Sequence, residues 1–224
     1  MPALPLAGLL IALAGAPFVL ALAKARGLDP LSAGPRIACW LLAAGVIAIA
    51  ARSDAAWPAT LGLTPVTWRA LELGLLTAVI LLAGWPIVQQ LQRMLGGRTV
   101  DRTEMFQRIT RLPASYRAFL IVTAGVTEEV LYRGYGIGVG QHLLDGAWPA
   151  AALSLLLFVV AHYRWGASHL LSVLWAGGVL TVAFVLSNSL LACILAHTLV
   201  DAVGLWLAPT MMARRAARAS AGPS

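Results

Sequence analysis

Val122-Thr123-Ala124-Gly125-Val126-Thr127-Glu128-Glu129-Val130-Leu131-Tyr132-Arg133-Gly134 carries three charges inside a run, 114–140, that otherwise reads as a membrane-spanning helix. A charged side chain at the centre of a bilayer costs about 2.5–3.5 kcal/mol on insertion scales. Three of them so close together need partners, and later apolar runs supply His162, then His197 with Asp201. So many titratable groups inside an apolar chain point to chemistry or transport, not to an inert anchor.

The rest of the sequence sets the frame. The chain is 60% hydrophobic and 11% charged, with a mean hydropathy of +0.83, which excludes the soluble globular class. A helix needs about 20 apolar residues to cross the hydrocarbon core. Apolar segments at 3–23, 37–51, 68–91, 114–140, 148–162, 168–186 and 190–208 therefore predict an all-α, polytopic transmembrane bundle of about seven spans, within a range of six to eight. The second segment is short for a full span. The polar stretch from Gln92 to Arg117 is expected to form an amphipathic helix on the membrane surface between spans three and four.

The net charge of +7 is carried almost wholly by arginine, since Lys24 is the only lysine. In a membrane chain this reads as topology and contact with anionic lipid, with no nucleic-acid partner. Lys24, Arg26 and Arg36, then Arg93, Arg98, Arg102, Arg108, Arg111 and Arg117, then Arg164 and the tail Arg214, Arg215 and Arg218 fall on one side. The other side keeps Arg52 and Arg69 with Asp54 and Asp145. The positive-inside rule then predicts an external N-terminus and a cytoplasmic C-terminus. Ala21-Leu22-Ala23 imitates a cleavage site, but Lys24 and Arg26 beyond it read as an anchor, so the first segment is expected to be a retained span.

Helical spacing assigns the two glutamates different surroundings. Glu129 and Arg133 are one turn apart and expected to pair, whereas Glu128 points about 100° away and shares its face with Tyr132. A carboxylate without a local cation, in such a place, suits general-base work. Phe158 stands one turn before His162, and His197 one turn before Asp201. Convergence of these helices would gather Glu128, His162, His197 and Asp201 around a small polar cavity. A base, a water-orienting histidine and donors for an oxyanion are what hydrolysis by activated water requires.

The motifs Glu128-Glu129-Val130-Leu131-Tyr132-Arg133-Gly134, Phe158-Val159-Val160-Ala161-His162 and His197-Thr198-Leu199-Val200-Asp201, with Ser187-Asn188-Ser189-Leu190 before the last, resemble the CAAX protease and bacteriocin-processing (CPBP, or Abi) family of intramembrane endopeptidases. The resemblance covers about residues 114–204. It implies a glutamate-dependent protease in which Glu128 and His162 activate water, His197 and Asp201 stabilise the oxyanion, and Glu129, Arg133 and Phe158 support the site. The family often has asparagine where this chain has Asp201, and an ionised aspartate only accepts hydrogen bonds. Asp201 would then be protonated, orient His197, or bind a metal. The chain divides accordingly into N-terminal transmembrane helices at 1–91, a cytoplasmic basic connector at 92–113, a catalytic core at 114–208 and a basic cytoplasmic tail at 209–224.

Other readings stay open. The same four residues, Glu128, His162, His197 and Asp201, are an acceptable zinc set, although the resemblance implies no cofactor. A proton-coupled transporter would relay charge through them, but the two related halves that would mark one are not evident. A non-catalytic immunity protein is the fourth reading. As an enzyme, the protein would take a peptide or protein substrate at or in the membrane, most simply a bacterial inner membrane. His142 and His169 read as interfacial, Trp57, Trp68, Trp148 and Trp165 as belt aromatics, and Cys39 and Cys193 as small buried side chains without a disulfide. The alternating Gly134, Gly136, Gly138 and Gly140 read as sites of close helix approach.

Overall fold

The computed structural model describes residues 3–95, 104–163 and 166–207. Every regular element among them is helical. α1 (Ala3–Ala25) and α2 (Ala33–Ser53) form a hairpin, the one-turn α3 (Trp57–Thr60) follows, and α4 (Trp68–Met94) is the longest helix. α5 (Glu104–Thr110) lies in the connector. α6 (Ala114–Glu128) runs without a break into a π-helical segment (Glu129–Val139) and the short α7 (Gly140–Leu143). α8 (Ala147–Ala161), α9 (Ala167–Ser187) and α10 (Leu190–Ala202) complete the bundle, and α10 is prolonged by a π-helical turn (Val203–Leu207).

All seven expected segments are helices, and five of the helices are long and apolar enough to cross a membrane. α8 is shorter, at 15 residues, and in the helix through Glu128 the apolar run is interrupted by Glu128, Glu129 and Arg133. The second span is longer than its apolar core suggests. α2 has 21 residues, because Pro35 sits in the first turn, where a missing N–H costs nothing.

The outside of the bundle is apolar, and its centre, though mainly apolar as well, holds buried polar side chains. Leu41, Ile87 and Leu186 are 68%, 65% and 75% exposed, as suits side chains that meet lipid tails. Gln92, Thr123, Glu129, Arg133, Ser154 and Ser172 are buried. That inversion of the soluble pattern marks a polytopic membrane protein, in which polar groups face the bundle interior.

The π-helical segment is the centre. It touches α1, α2, α8, α9 and α10, and ten of its residues, Glu129 to Gly138, are buried. Two of its glycines explain how the neighbours come so near. A Cβ on Gly138 would stand 2.1 Å from the carbonyl oxygen of Thr60 in α3. One on Gly136 would stand 3.0 Å from both Leu13 Cδ2 and Ser154 Oγ. Gly134 and Gly140 are less crowded, with nearest atoms at 3.4 Å. The expected close approach therefore concentrates at two of the four.

The α9–α10 turn is tied to the α3 loop. Asn188 takes a left-handed conformation (φ 47°) that ends α9, and its Nδ2 donates to the Ala59 carbonyl at 2.9 Å. Leu190 N donates to Gly62 O at 2.8 Å, and Ser189 Oγ caps α10 by accepting from Ala192 N. These bonds set where α10, with His197 and Asp201, begins. Between α2 and α3, Asp54 accepts from Thr60 Oγ1 and Ala56 N. The Thr60 bond, then the Ala56 bond, hold its carboxyl below the usual carboxylate range.

In the connector, α5 has seven residues. Ile109 packs with Leu31 and Leu120, and Arg108 meets Asp29 at 2.9 Å in an exposed ion pair. Arg98, Arg102, Arg164, Trp165, Arg214, Arg215 and Arg218 lie outside the described residues. Trp68 and Trp148 are exposed, while Trp57 packs against the core. Cys39 and Cys193 are free and buried.

Candidate active site

Three helices deliver the expected residues to one place. Glu128 ends α6, His162 caps the C-terminus of α8, and His197 and Asp201 stand one turn apart on α10. All four line a single cavity of about 660 Å³. Glu129, Arg133 and Tyr132 are buried beside it.

On the closed side, Glu129 and Arg133 pair as the spacing predicts, with Arg133 Nη1 2.8 Å from Glu129 Oε1. Their side chains are 0% and 1% exposed. Arg133 is held further by Nη2 donating to Gly177 O at 3.0 Å and by its guanidinium lying 4.5 Å over the Phe158 ring. A second bond was not foreseen. His197 Nδ1 lies 2.7 Å from the same Glu129 Oε1. A carboxylate flanked by an arginine accepts, so Nδ1 carries the hydrogen. Convergence was expected to gather His197 with Glu128 around one cavity, as it does, but it left unassigned the carboxylate that His197 bonds, which is Glu129. The reason is the π-helical winding that starts at Glu129, together with the rotation of α10, neither of which local spacing encodes. His197 Nε2 faces Asp201 Oδ2 at 3.6 Å, close enough for attraction and too long for a good hydrogen bond.

On the open side, His162 Nδ1 lies 2.8 Å from the Phe158 carbonyl oxygen. A carbonyl only accepts, so Nδ1 again carries the hydrogen and the neutral ring presents a bare Nε2. That Nε2 stands 4.0 Å from Glu128 Oε2. The Glu128 side chain is 22% exposed. Phe158 supports both sides, stacking on His162 with centroids 4.7 Å apart and meeting Tyr132 edge-on at 5.0 Å. Glu128 and Tyr132 do not share an environment as helical spacing had suggested, since Glu128 lines the cavity and Tyr132 is buried against Phe158.

The cavity also holds residues that sequence reasoning did not place there. His169, expected at an interface, lines it, with its ring centroid 6.3 Å from that of His162. Its position one turn beyond the His162 break was the available clue. Arg36, read only as a topology signal, lines it as well, as do Gln89 and Gln107. Zinc would require three or more donors converging at about 2.0–2.2 Å from one point. Among the described residues no group of three histidine, cysteine, aspartate or glutamate side chains is so placed. Glu128 faces His162 at 4.0 Å and His197 faces Asp201 at 3.6 Å.

Fold and site together define a class: a polytopic helical membrane protein with a carboxylate–imidazole cavity at its centre. Residues 110–203 match the family model described as type II CAAX prenyl endopeptidase, Rce1-like. Over that stretch, from the end of α5 through α10, the chain is similar to this family of membrane proteases, in agreement with the resemblance carried by the three motifs. α1, α2 and α4 lie outside the match. No curated protein and no solved structure matches the chain.

Proposed function

We propose that the protein is an intramembrane endopeptidase that hydrolyses a peptide bond with a water activated by Glu128 and His162. One observation carries the reading. The hydrogen on His162 Nδ1 is committed to Phe158 O, so two acceptors, His162 Nε2 and Glu128 Oε2, face each other across 4.0 Å. A gap too long for a direct bond between two acceptors accommodates a bridging water. Such a water points both hydrogens at the enzyme and its lone pairs at a substrate carbonyl.

Glu128 takes one proton as the water oxygen bonds the carbonyl carbon, and the carbonyl oxygen becomes an oxyanion. His197 stabilises it from Nε2. With Nδ1–H given to Glu129, Nε2 donates only when the ring carries both protons, and the carboxylates of Glu129 and Asp201 lie on either side of it. Asp201 thus orients His197 instead of touching the oxyanion. Collapse of the intermediate breaks the C–N bond, and the leaving nitrogen takes its proton back from Glu128. Glu129, Arg133 and Phe158 hold the two imidazoles. No cofactor enters these steps. If zinc takes part instead, a chelator abolishes cleavage and elemental analysis finds stoichiometric metal.

The family description directs the first assay to prenylated C-terminal peptides. Glu128→Gln in proteoliposomes should bind such a peptide without cutting it, with bound species identified by mass spectrometry. His162→Ala and His197→Ala should also lose cleavage while inserting normally. Wild-type rates in Glu128→Gln would remove the proposal. Solute uptake that depends on these residues, or peptide protection that survives Glu128→Gln, would favour a transporter or an immunity protein. A bacterial inner membrane, with the N-terminus outside and the C-terminus cytoplasmic, is the setting the charge distribution supports.

A further inference from the structure

The cavity holds a cation that the hydrolysis leaves unused. Arg36 is the fourth residue of α2, lines the same cavity as Glu128, His162, His197 and Asp201, and is the one arginine or lysine among its described lining residues. Its Nε is buried without a hydrogen bond among the described residues. The nearest acid in sequence, Asp29, is committed to Arg108 at 2.9 Å. A guanidinium with a buried donor left without a partner is costly unless something anionic meets it. Its planar fork of donors matches a carboxylate bidentately. One guanidinium thus lines the same cavity as the carboxylates of Glu128 and Asp201.

We propose that Arg36 binds a carboxylate of the peptide substrate and so determines which peptides are cut and how they lie. This rests on the peptidase reading. A volume of 660 Å³ lies within the usual range of small-ligand pockets, about 300–1,000 Å³. It holds only a short length of chain, so the bound carboxylate stands within a few residues of the scissile bond. Either a chain terminus or an acidic side chain supplies it.

The test measures binding, which does not require cleavage. S-farnesyl-cysteine tetrapeptides with a free carboxyl end, an amidated end, or an amidated end preceded by aspartate are titrated onto Glu128→Gln protein in phosphatidylcholine nanodiscs. The free acid should bind roughly tenfold more tightly than the plain amide, the loss expected for one charge-assisted pair. The aspartate peptide should recover the difference if any carboxylate serves. Adding Arg36→Gln should bring the acid-to-amide ratio close to one, and Arg36→Lys should keep part of it. Because the readout is a ratio, a general loss of folded protein does not imitate the effect. A ratio near one before mutation, or one that survives Arg36→Gln, overturns the inference. So does an Arg36→Gln effect seen only on exchanging phosphatidylcholine for phosphatidylglycerol, which would assign the arginine to a lipid phosphate. Discrimination by a protein that never cuts would retain the carboxylate site and discard the peptidase.

Discussion

The half of the site around Glu129 is closed, whereas the half around Glu128 opens on the cavity. Glu129 shares one oxygen between Arg133 and His197 and is wholly buried. Among the described residues, Glu128, its neighbour in the chain, faces His162 across a 4.0 Å gap and makes no hydrogen bond. Two identical side chains thus differ in their partners and in their burial. In a medium that punishes every unpaired charge, saturating one carboxylate fixes the geometry, and leaving the next unsaturated would provide the proposed reactivity.

The sharpest way to break that contrast is to neutralise the open side. Glu128→Gln keeps the shape and removes the proposed base, so cleavage should fall by about 10²–10⁴-fold, with melting in detergent little changed. The closed side should behave in the opposite sense. Arg133→Met leaves the buried Glu129 with His197 as its remaining partner, and loss of one partner of such a buried pair costs about 3–5 kcal/mol. Combining it with Glu129→Gln removes the buried charge and should recover most of that loss in an unfolding titration. If Arg133→Met melts like wild type, the pair does not hold the site together.

How much of this was legible follows from the same physics. Spans could be read from apolar length, and the pairs Glu129–Arg133, Phe158–His162 and His197–Asp201 from one-turn spacing on single helices. The carboxylate that His197 bonds could not be read, nor could the presence of His169 and Arg36 in the cavity. Each depends on how a helix is rotated about its axis. In a soluble helix an apolar stripe fixes that rotation. Here both lipid and interior are apolar, so the stripe is missing, and the polar contacts that replace it become visible only in three dimensions. The π-helical segment and α3 were missed for a related reason: neither has a strong local signature.

The glycines beneath the closed side offer a finer cut. Gly138→Ala drives a methyl group against the Thr60 carbonyl, and relief by backbone movement should cost about 1–3 kcal/mol. Gly134→Ala meets its nearest atoms at 3.4 Å and should be neutral within about 1 kcal/mol, the helix-propensity gain of alanine offsetting the contact. Equal melting of the two variants would mean that the central segment is not held by close approach at Gly138.

Asp201 sits where the two halves meet, and its replacement should have the smallest effect. Its carboxylate lies 3.6 Å from His197 Nε2, so it supports the imidazole electrostatically without forming a tight bond. Asp201→Asn keeps an oxygen at the same position and removes the charge. Cleavage should drop by no more than about tenfold, or ~1.4 kcal/mol in the barrier. His197→Ala, which removes the proposed oxyanion donor, should cost about 10²–10³-fold. A deficit in Asp201→Asn as large as that of His197→Ala would mean that the aspartate takes part in the chemistry directly, and the open side would then include a second acid.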